Sequence, residues 1–308
     1  MNSVVIADLI DRVDEERMAR DLRYLAEDPL RYRKLNYTRP GAAKCSLYEA
    51  DDYIAVQLAA CGYAVERTEH LVQCFRCDPD KPKAHQYSAP LPEDPWSAAY
   101  NLNARKTGTD RPGDTIVLVA HKDSQSWVDS PGALDNGVGT VGVMEIARVL
   151  CDVPLAASVW FLFCNEEHTP WTSAFAANAA AERGENLMAV FNLDSLGGRS
   201  QQDIDAGRMT NVTAYTEEPG RALAELMAGV NDRYGIGLIQ TSCKRDSPGD
   251  DDGSFVRAGF PAAVINLGSF PYADPCYHTE EDEAGRVDVR NVRMAVQATL
   301  AAVLELAG

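Results

Sequence analysis

From residue 114 onward, short runs that are apolar at nearly every position alternate with segments of helical spacing. TIVLVA (115–120), SVWFLFC (158–164), LMAVFNL (187–193) and AAVINLG (262–268) are too short for buried helices and lack polar alternate positions, so both faces of each strand must be covered. Helical patterns are predicted at 138–150, about 174–183, about 221–234 and 289–306, with a further short run at 236–240. Strands buried on both faces and separated by helices predict an α/β fold, a three-layer α/β/α sandwich around a mostly parallel, mixed central sheet.

The first hundred residues read differently. Val5, Leu9, Val13 and Leu22 recur near helical spacing until Pro29, which predicts one amphipathic helix. A second is expected from about Leu47 to Cys61, with Ser46 and Glu49 as a capping box and Gly62 as the stop. Residues 64–105 alternate weakly and carry several prolines between Pro79 and Pro95, which predicts edge strands around a long surface loop. No repeat or linker is visible, so residues 1–308 are expected to form one domain, the helices of 1–62 packed on a core at 101–308.

Charge narrows the partners. Among 308 residues, 46 Asp and Glu stand against 29 Lys and Arg, a net −17. Such a surface repels phosphate backbones and anionic membranes, and no basic run offsets it, so no nucleic acid or membrane partner is expected. No stretch reaches the roughly 18–20 apolar residues of a membrane span. Asp8, Asp11 and Asp14 interrupt the N-terminal apolar positions, so a secretory signal is not expected either. The eight cysteines lack the density of a disulfide scaffold, which suits reduced thiols in a cytoplasm. Cys74 and Cys77, flanked by His70 and His85, offer at most a small structural zinc site. Most of the acidity reads as solubility; the question is which carboxylates hold a cation.

In open α/β sheets the ligand site lies beyond the carboxyl ends of the strands. The residues there are His121, Lys122 and Asp123 after the first core strand, with Asp135 in the loop that follows. Asn165, Glu166 and Glu167 follow the second, Asp194 the third, and the loop after the last carries Tyr277 and His278. Singly, each has an ordinary explanation: a satisfied polar residue, a turn, or a helix N-terminus. Jointly, imidazoles beside carboxylates are the ligands a borderline ion such as zinc takes.

At these residues the chain resembles the zinc aminopeptidases of metallopeptidase family 28, which share a fold with glutamate carboxypeptidase-like enzymes and glutaminyl cyclases. The motifs are His121-Lys122-Asp123-Ser124, Gly132-Ala133-Leu134-Asp135-Asn136, Asn165-Glu166-Glu167, Asn192-Leu193-Asp194 and Tyr277-His278-Thr279, with Phe255 to Pro261 between the last two. The resemblance implies two zinc ions bridged by Asp135, with His121 and Asp194 completing one site and Glu167 and His278 the other. It implies Glu166 as general base, Asp123 as the carboxylate orienting His121, Tyr277 as the hydrogen-bond donor to the oxyanion, and a cis peptide from Asp135 to Asn136. The substrate it implies is a peptide or small amide, cleaved by a metal-activated water.

Three positions depart from the family pattern: His168, Thr169, Pro170 and Trp171 replace a Gly and a Leu-containing turn, Glu280 replaces a Pro, and Asp250, Asp251 and Asp252 span the place of an Asp-His pair. All lie near the presumed cleft and bear on substrate preference. Trp127, Trp171, Phe255 and Phe270 are candidates to line it. A carboxypeptidase of the same fold would need a cationic pocket, for which Arg199, Arg208, Arg245 and Arg257 are available. A glutaminyl cyclase would need one zinc, and a non-catalytic binding protein none; oligomeric state is not legible.

Overall fold

The computed structural model describes residues 1–78, 80–82 and 86–308. Three helices open the chain: α1 (Ser3–Ile10), α2 (Glu15–Ala26) and α3 (Ser46–Ala60). The single N-terminal helix expected from the periodicity is two, because the Asp14 side chain accepts the Arg17 N–H and starts α2 afresh. Asp is a poor interior helix residue for this reason: its carboxylate competes for nearby backbone amides. The expected capping box at α3 does not form either. Cys45 stands at the N-cap position, Ser46 Oγ accepts from the Lys34 N–H, and Glu49 pairs with Arg39 through two contacts of 2.7 and 2.8 Å. A bidentate charged pair outcompetes a neutral cap contact. Past the end of α3, Gly62 takes φ +86° as its stop role requires.

The chain continues through β1 (Val65–Cys74), a small hairpin of β2 (Arg76–Cys77) and β3 (Tyr87–Ser88), then β4 (Ser97–Lys106), β5 (Arg111–His121), α4 (Val138–Leu150) and β6 (Ala157–Cys164). Next come β7 (His168–Thr169), α5 (Thr172–Glu182), β8 (Asn186–Leu193), α6 (Gln201–Asp205), β9 (Thr210–Tyr215) and α7 (Glu218–Arg233). The chain closes with β10 (Ile239–Lys244), α8 (Asp250–Arg257), β11 (Ala263–Leu267) and α9 (Val289–Ala307).

Among the described residues nine strands form one mixed sheet in the order β10-β9-β11-β8-β5-β6-β4-β1-β7. Its central strands β6, β5, β8 and β11 are mutually parallel, and antiparallel pairs attach β9 on one side and β4 and β1 on the other. Ile116, Leu118 and Ala120 of β5 face the cluster built with α1, α2, α3, α4, α7 and α9, while Val117 and Val119 face the cluster of α5 and α8. The fold is therefore the expected three-layer sandwich, and the doubly apolar strands are its middle layer.

β9 has no counterpart in the apolar runs. The buried Asn211 amide donates to Gln240 and the buried Thr213 hydroxyl to Asn266 across the sheet, so side-chain pairing takes the place of an apolar run. β10 begins at Ile239, not 236. Among the described residues no helix is long and apolar enough to cross a membrane.

Candidate metal centre and active site

The carboxyl ends of β5, β6 and β8 converge with the turn at 133–137 and the loop after β11. His121, Asp135, Glu166, Glu167, Asp194 and His278 meet there, each between 1% and 5% exposed. Two three-residue donor sets result, His121 with Asp135 and Asp194, and Asp135 with Glu167 and His278, the ligand atoms of each set within 4.8 Å of one another. His121 Nε2 lies 3.1 Å from Asp135 Oδ1 and 3.8 Å from Asp194 Oδ1. His278 Nε2 lies 2.9 Å from Asp135 Oδ2 and 3.8 Å from Glu167 Oε1.

The second of these close pairs lacks hydrogen-bond geometry, and Asp135 Oδ2 and His278 Nε2 are buried without a partner among the described residues. Orphaned polar atoms at such burial are costly, and a cation between them removes the cost. Two imidazoles with three carboxylates match the donor preference of zinc. The residues present thus fit a pair of divalent ions sharing Asp135.

The electrostatics say the same. Burial pushes the Glu167 and Asp194 carboxyls well above their usual range, and the Asp135 charge adds to both. Asp135 itself, despite burial, is held below the usual range by His121 and His278.

The turn that carries Asp135, the residue common to both donor sets, is built by contacts distant in sequence. The peptide from Asp135 to Asn136 is cis, as the resemblance implies. Just before it Gly132 takes φ +62°, and a Cβ there would stand 2.5 Å from the Asp135 carbonyl oxygen. The Asp282 carboxylate accepts from the N–H groups of Leu134 (2.7 Å) and Asp135 (3.0 Å). Burial raises the Asp282 carboxyl to about 7. Arg33, fully buried, donates to the carbonyls of Leu25, Lys122, Pro131 and Gly132 at 2.6–2.8 Å and so ties the end of β5 to the turn. Burial lowers its guanidinium to about 10.

Asp123 sits behind His121. Its Oδ1 is 3.2 Å from His121 Nδ1 and accepts the Glu166 N–H, while Oδ2 accepts the Glu167 N–H and lies 2.6 Å from His168 Nδ1. A carboxylate bonded to Nδ1 of an imidazole frees Nε2 to face a metal. Burial works against the charge on His168, but Asp123 and the Cys74 thiol raise its imidazole to about 9. His168 stands where the family pattern has Gly, and only the folded chain reveals its place behind the cluster.

Glu166 lies beside the donor sets with Oε2 buried and without a partner among the described residues. Burial, then the charges of Asp251 and Asp250, push its carboxyl well above the usual range. The Tyr277 ring is stacked between His278 (4.0 Å) and Tyr272 (4.5 Å), and burial pushes its hydroxyl well up. Tyr87, which the motifs do not include, bonds Glu167 Oε1 through its hydroxyl at 3.1 Å and meets the His278 ring edge-on. Its sequence surroundings, a proline-interrupted loop, carry no signal for this.

A cleft of about 630 Å³ opens beside the cluster, lined by Tyr87, Trp171, Arg245, Asp250, Phe270 and Tyr272 with exposed neighbours. Two of the four candidate aromatics belong to it. Phe255 does not: it is fully buried between Trp160 and Phe260, in the α5–α8 core. Trp127 is half exposed beneath Arg76, outside this cleft. Of the arginines only Arg245 reaches the cleft, and Asp250 and Asp252 engage it. Arg199 pairs with Asp288, Arg208 with Asp203, and Arg257 donates to the Pro248 carbonyl. Among the described residues Cys74 and Cys77 join no metal-ligand cluster, and His85 lies outside those residues.

The non-glycine residues with positive φ among the described residues are Ser195, Asp250, Tyr272 and His278. Ser195 follows Asp194, His278 belongs to a donor set, and the other two line the cleft. Conformations that side chains disfavour are thus confined to the surroundings of the site.

Residues 101–303 match peptidase family M28. Leucine aminopeptidase 1 of Phaeosphaeria nodorum is 30% identical over 206 residues, 63% of this chain and 52% of the relative, and that of Fusarium vanettenii is 28% identical over 205. The chain thus spans about half the length of these curated relatives. Among solved structures, the aminopeptidase of Aneurinibacillus sp. strain AM-1 superposes with a TM-score of 0.73 at 15% identity, over 98% of this chain and 96% of that one. A likeness at that identity is one of fold.

Proposed function

The chain belongs to peptidase family M28, and from that premise we propose that it is a metal-dependent aminopeptidase releasing N-terminal residues from peptides. The observation that carries the reading is the pair of buried donor sets sharing Asp135, with Glu166 beside them, its Oε2 buried without a partner among the described residues. Two zinc ions are proposed, one held by His121, Asp135 and Asp194 and the other by Asp135, Glu167 and His278. Bound there, they supply Lewis-acid polarisation and a water nucleophile at neutral pH.

The chain's own residues do the rest. Glu166 takes the proton of the attacking water on its free oxygen and delivers it to the departing amine, a role suited to a carboxyl that burial raises above its usual range. Asp123 fixes the ring of His121 and, through two backbone amides, the stretch that carries Glu166 and Glu167. The Tyr277 hydroxyl donates to the oxyanion from a ring immobilised by stacking. The substrate is a peptide or small amide entering the cleft of Tyr87, Trp171 and Phe270.

The packing of α1 on α9, and of α2 on α4 and α9, supports one unit over residues 1–308. The eight unpaired cysteines support a reducing, cytoplasmic setting. Glu166→Gln tests the assignment: the variant is expected to keep its zinc content and lose roughly 10²–10⁴-fold in kcat on leucine arylamide. Full activity at full zinc content rules Glu166 out as the base.

A further inference from the structure

We infer that the outer edge of β1 is an interface on which a second copy of this chain lays its own β1 antiparallel, about a two-fold axis at Thr68. The inference stands apart from the peptidase reading. β1 gives one edge to β4 through eight successive pairs, from Val65 with Ala104 to Val72 with Ser97. Among the described residues only Gln73 and Cys74, at its far end, meet another strand, β7. No turn or loop among those residues hydrogen-bonds the backbone of 65–72, and Glu66, Arg67, Thr68 and Glu69 are exposed in succession, on both faces of the sheet. In an antiparallel pair alternate residues turn their N–H and C=O groups outward, so this edge offers a template for one more strand.

Unpaired edges are commonly blunted by proline, by a bulge or by lysine. The segment Val-Glu-Arg-Thr-Glu-His-Leu-Val has none of these, and its register with β4 is unbroken. Its side chains instead suit a copy of itself. A two-fold axis perpendicular to the sheet keeps each face on its own side, so the possible registers centre on a single residue. Centring on Arg67 sets two arginines opposite each other, and centring on Glu66 or Glu69 sets two glutamates opposite each other. Centring on Thr68 pairs threonine with threonine, Arg67 with the partner's Glu69, Glu66 with the partner's His70, and Val65 with the partner's Leu71. Each unlike pair then occurs twice, and every pair is of a kind that stabilises adjacent strands.

The groups needed are already in place. Arg67 donates Nη2 to Asp52 of α3 at 2.7 Å, and Glu69 Oε2 accepts the Tyr100 hydroxyl at 3.2 Å, which holds both side chains over the strand while leaving them exposed. Leu71 is 58% exposed and shares a face with Val65 and Arg67. Those two residues border a shallow groove of about 570 Å³ whose apolar wall includes Ala55, Val56 and Ala59 of α3, with Val56 62% exposed. In the Thr68 register the partner's Leu71 arrives opposite Val65, at the rim of this groove. Two exposed apolar surfaces are thereby covered, once on each side of the axis.

Sedimentation equilibrium of the full chain over about 1–100 µM tests the interface. The wild type is expected to move from the mass of one chain to that of two. Arg67→Glu and Glu69→Arg each set like charges opposite each other and should weaken the dimer ~10-fold or more. Combined in one chain the two changes exchange the charges and should restore it. An equimolar mixture of the two single variants should also restore it, because a chain acidic at both positions then meets a chain basic at both. Leu71→Ser, at an exposed position, should weaken the dimer without lowering the melting temperature, which is measured on every variant to separate lost pairing from lost folding. A wild type that stays monomeric throughout, a dimer indifferent to the single charge changes and to Leu71→Ser, or charge variants rescued neither by combination nor by mixing overturns the proposal.

Discussion

Asp123 shows how one side chain organises the centre. It accepts from the His121 ring, from the amides of Glu166 and Glu167, and from His168, so a single carboxylate positions two of the residues proposed as ligands and the proposed base. His168 is the fourth of these contacts and is itself braced by Ser126, 3.3 Å from its Nε2. Removing it leaves Asp123 free to rotate away from His121. His168→Ala is therefore expected to weaken zinc at the His121 set ~10- to 100-fold, measured by competition with a chromophoric chelator. Unchanged zinc affinity would show that the other three contacts suffice. The residues legible in the sequence were those at the ends of apolar runs, where chain position announces the site. His168, Tyr87 and Asp282 were not: Tyr87 and Glu167 are 80 positions apart, Asp282 and Leu134 are 148, and no local pattern encodes such a meeting.

The elements follow the same division. β5, β6, β8 and β11 were legible because burial on both faces demands an unbroken apolar run, and that run also fixes where each strand delivers its polar residues. β9 was not, since its buried Asn211 and Thr213 break the apolar run and donate to side chains of neighbouring strands. The two N-terminal departures share a cause. At Asp14 the side chain takes a local backbone amide, whereas Ser46 and Glu49 take partners farther along the chain, and hydrophobic spacing does not say which kind wins. Arg33 illustrates the consequence for the site. It lies between the first helices, yet its four carbonyl contacts hold the end of β5 against the turn that carries Asp135.

At the scale of the whole molecule, the net charge of −17 is distributed unevenly, with several carboxylates buried in one cluster. Without metal, burial raises the carboxyls of Glu166, Glu167 and Asp194, and His121 is raised because Asp123 and Asp135 outweigh its burial. The folded chain then holds protons that the unfolded chain, with carboxylates near ~4 and imidazoles near ~6.5, has released. Stability follows the difference in bound protons, so these four groups destabilise the metal-free protein as pH rises from ~4 through neutrality. Asp123 and Asp135, held low by imidazoles, oppose this and withdraw their stabilisation only in acid. Zinc displaces the protons, so the melting temperatures of loaded and metal-free protein are expected to diverge between about pH 5 and pH 8. Parallel curves would mean that the cluster does not couple protons to metal.

The central claim is that two ions share Asp135. A crystal of the zinc-loaded protein measured at the zinc absorption edge tests it most directly. The account predicts two anomalous peaks, one among His121, Asp135 and Asp194 and one among Asp135, Glu167 and His278. A single peak, or none within reach of Asp135, would contradict it.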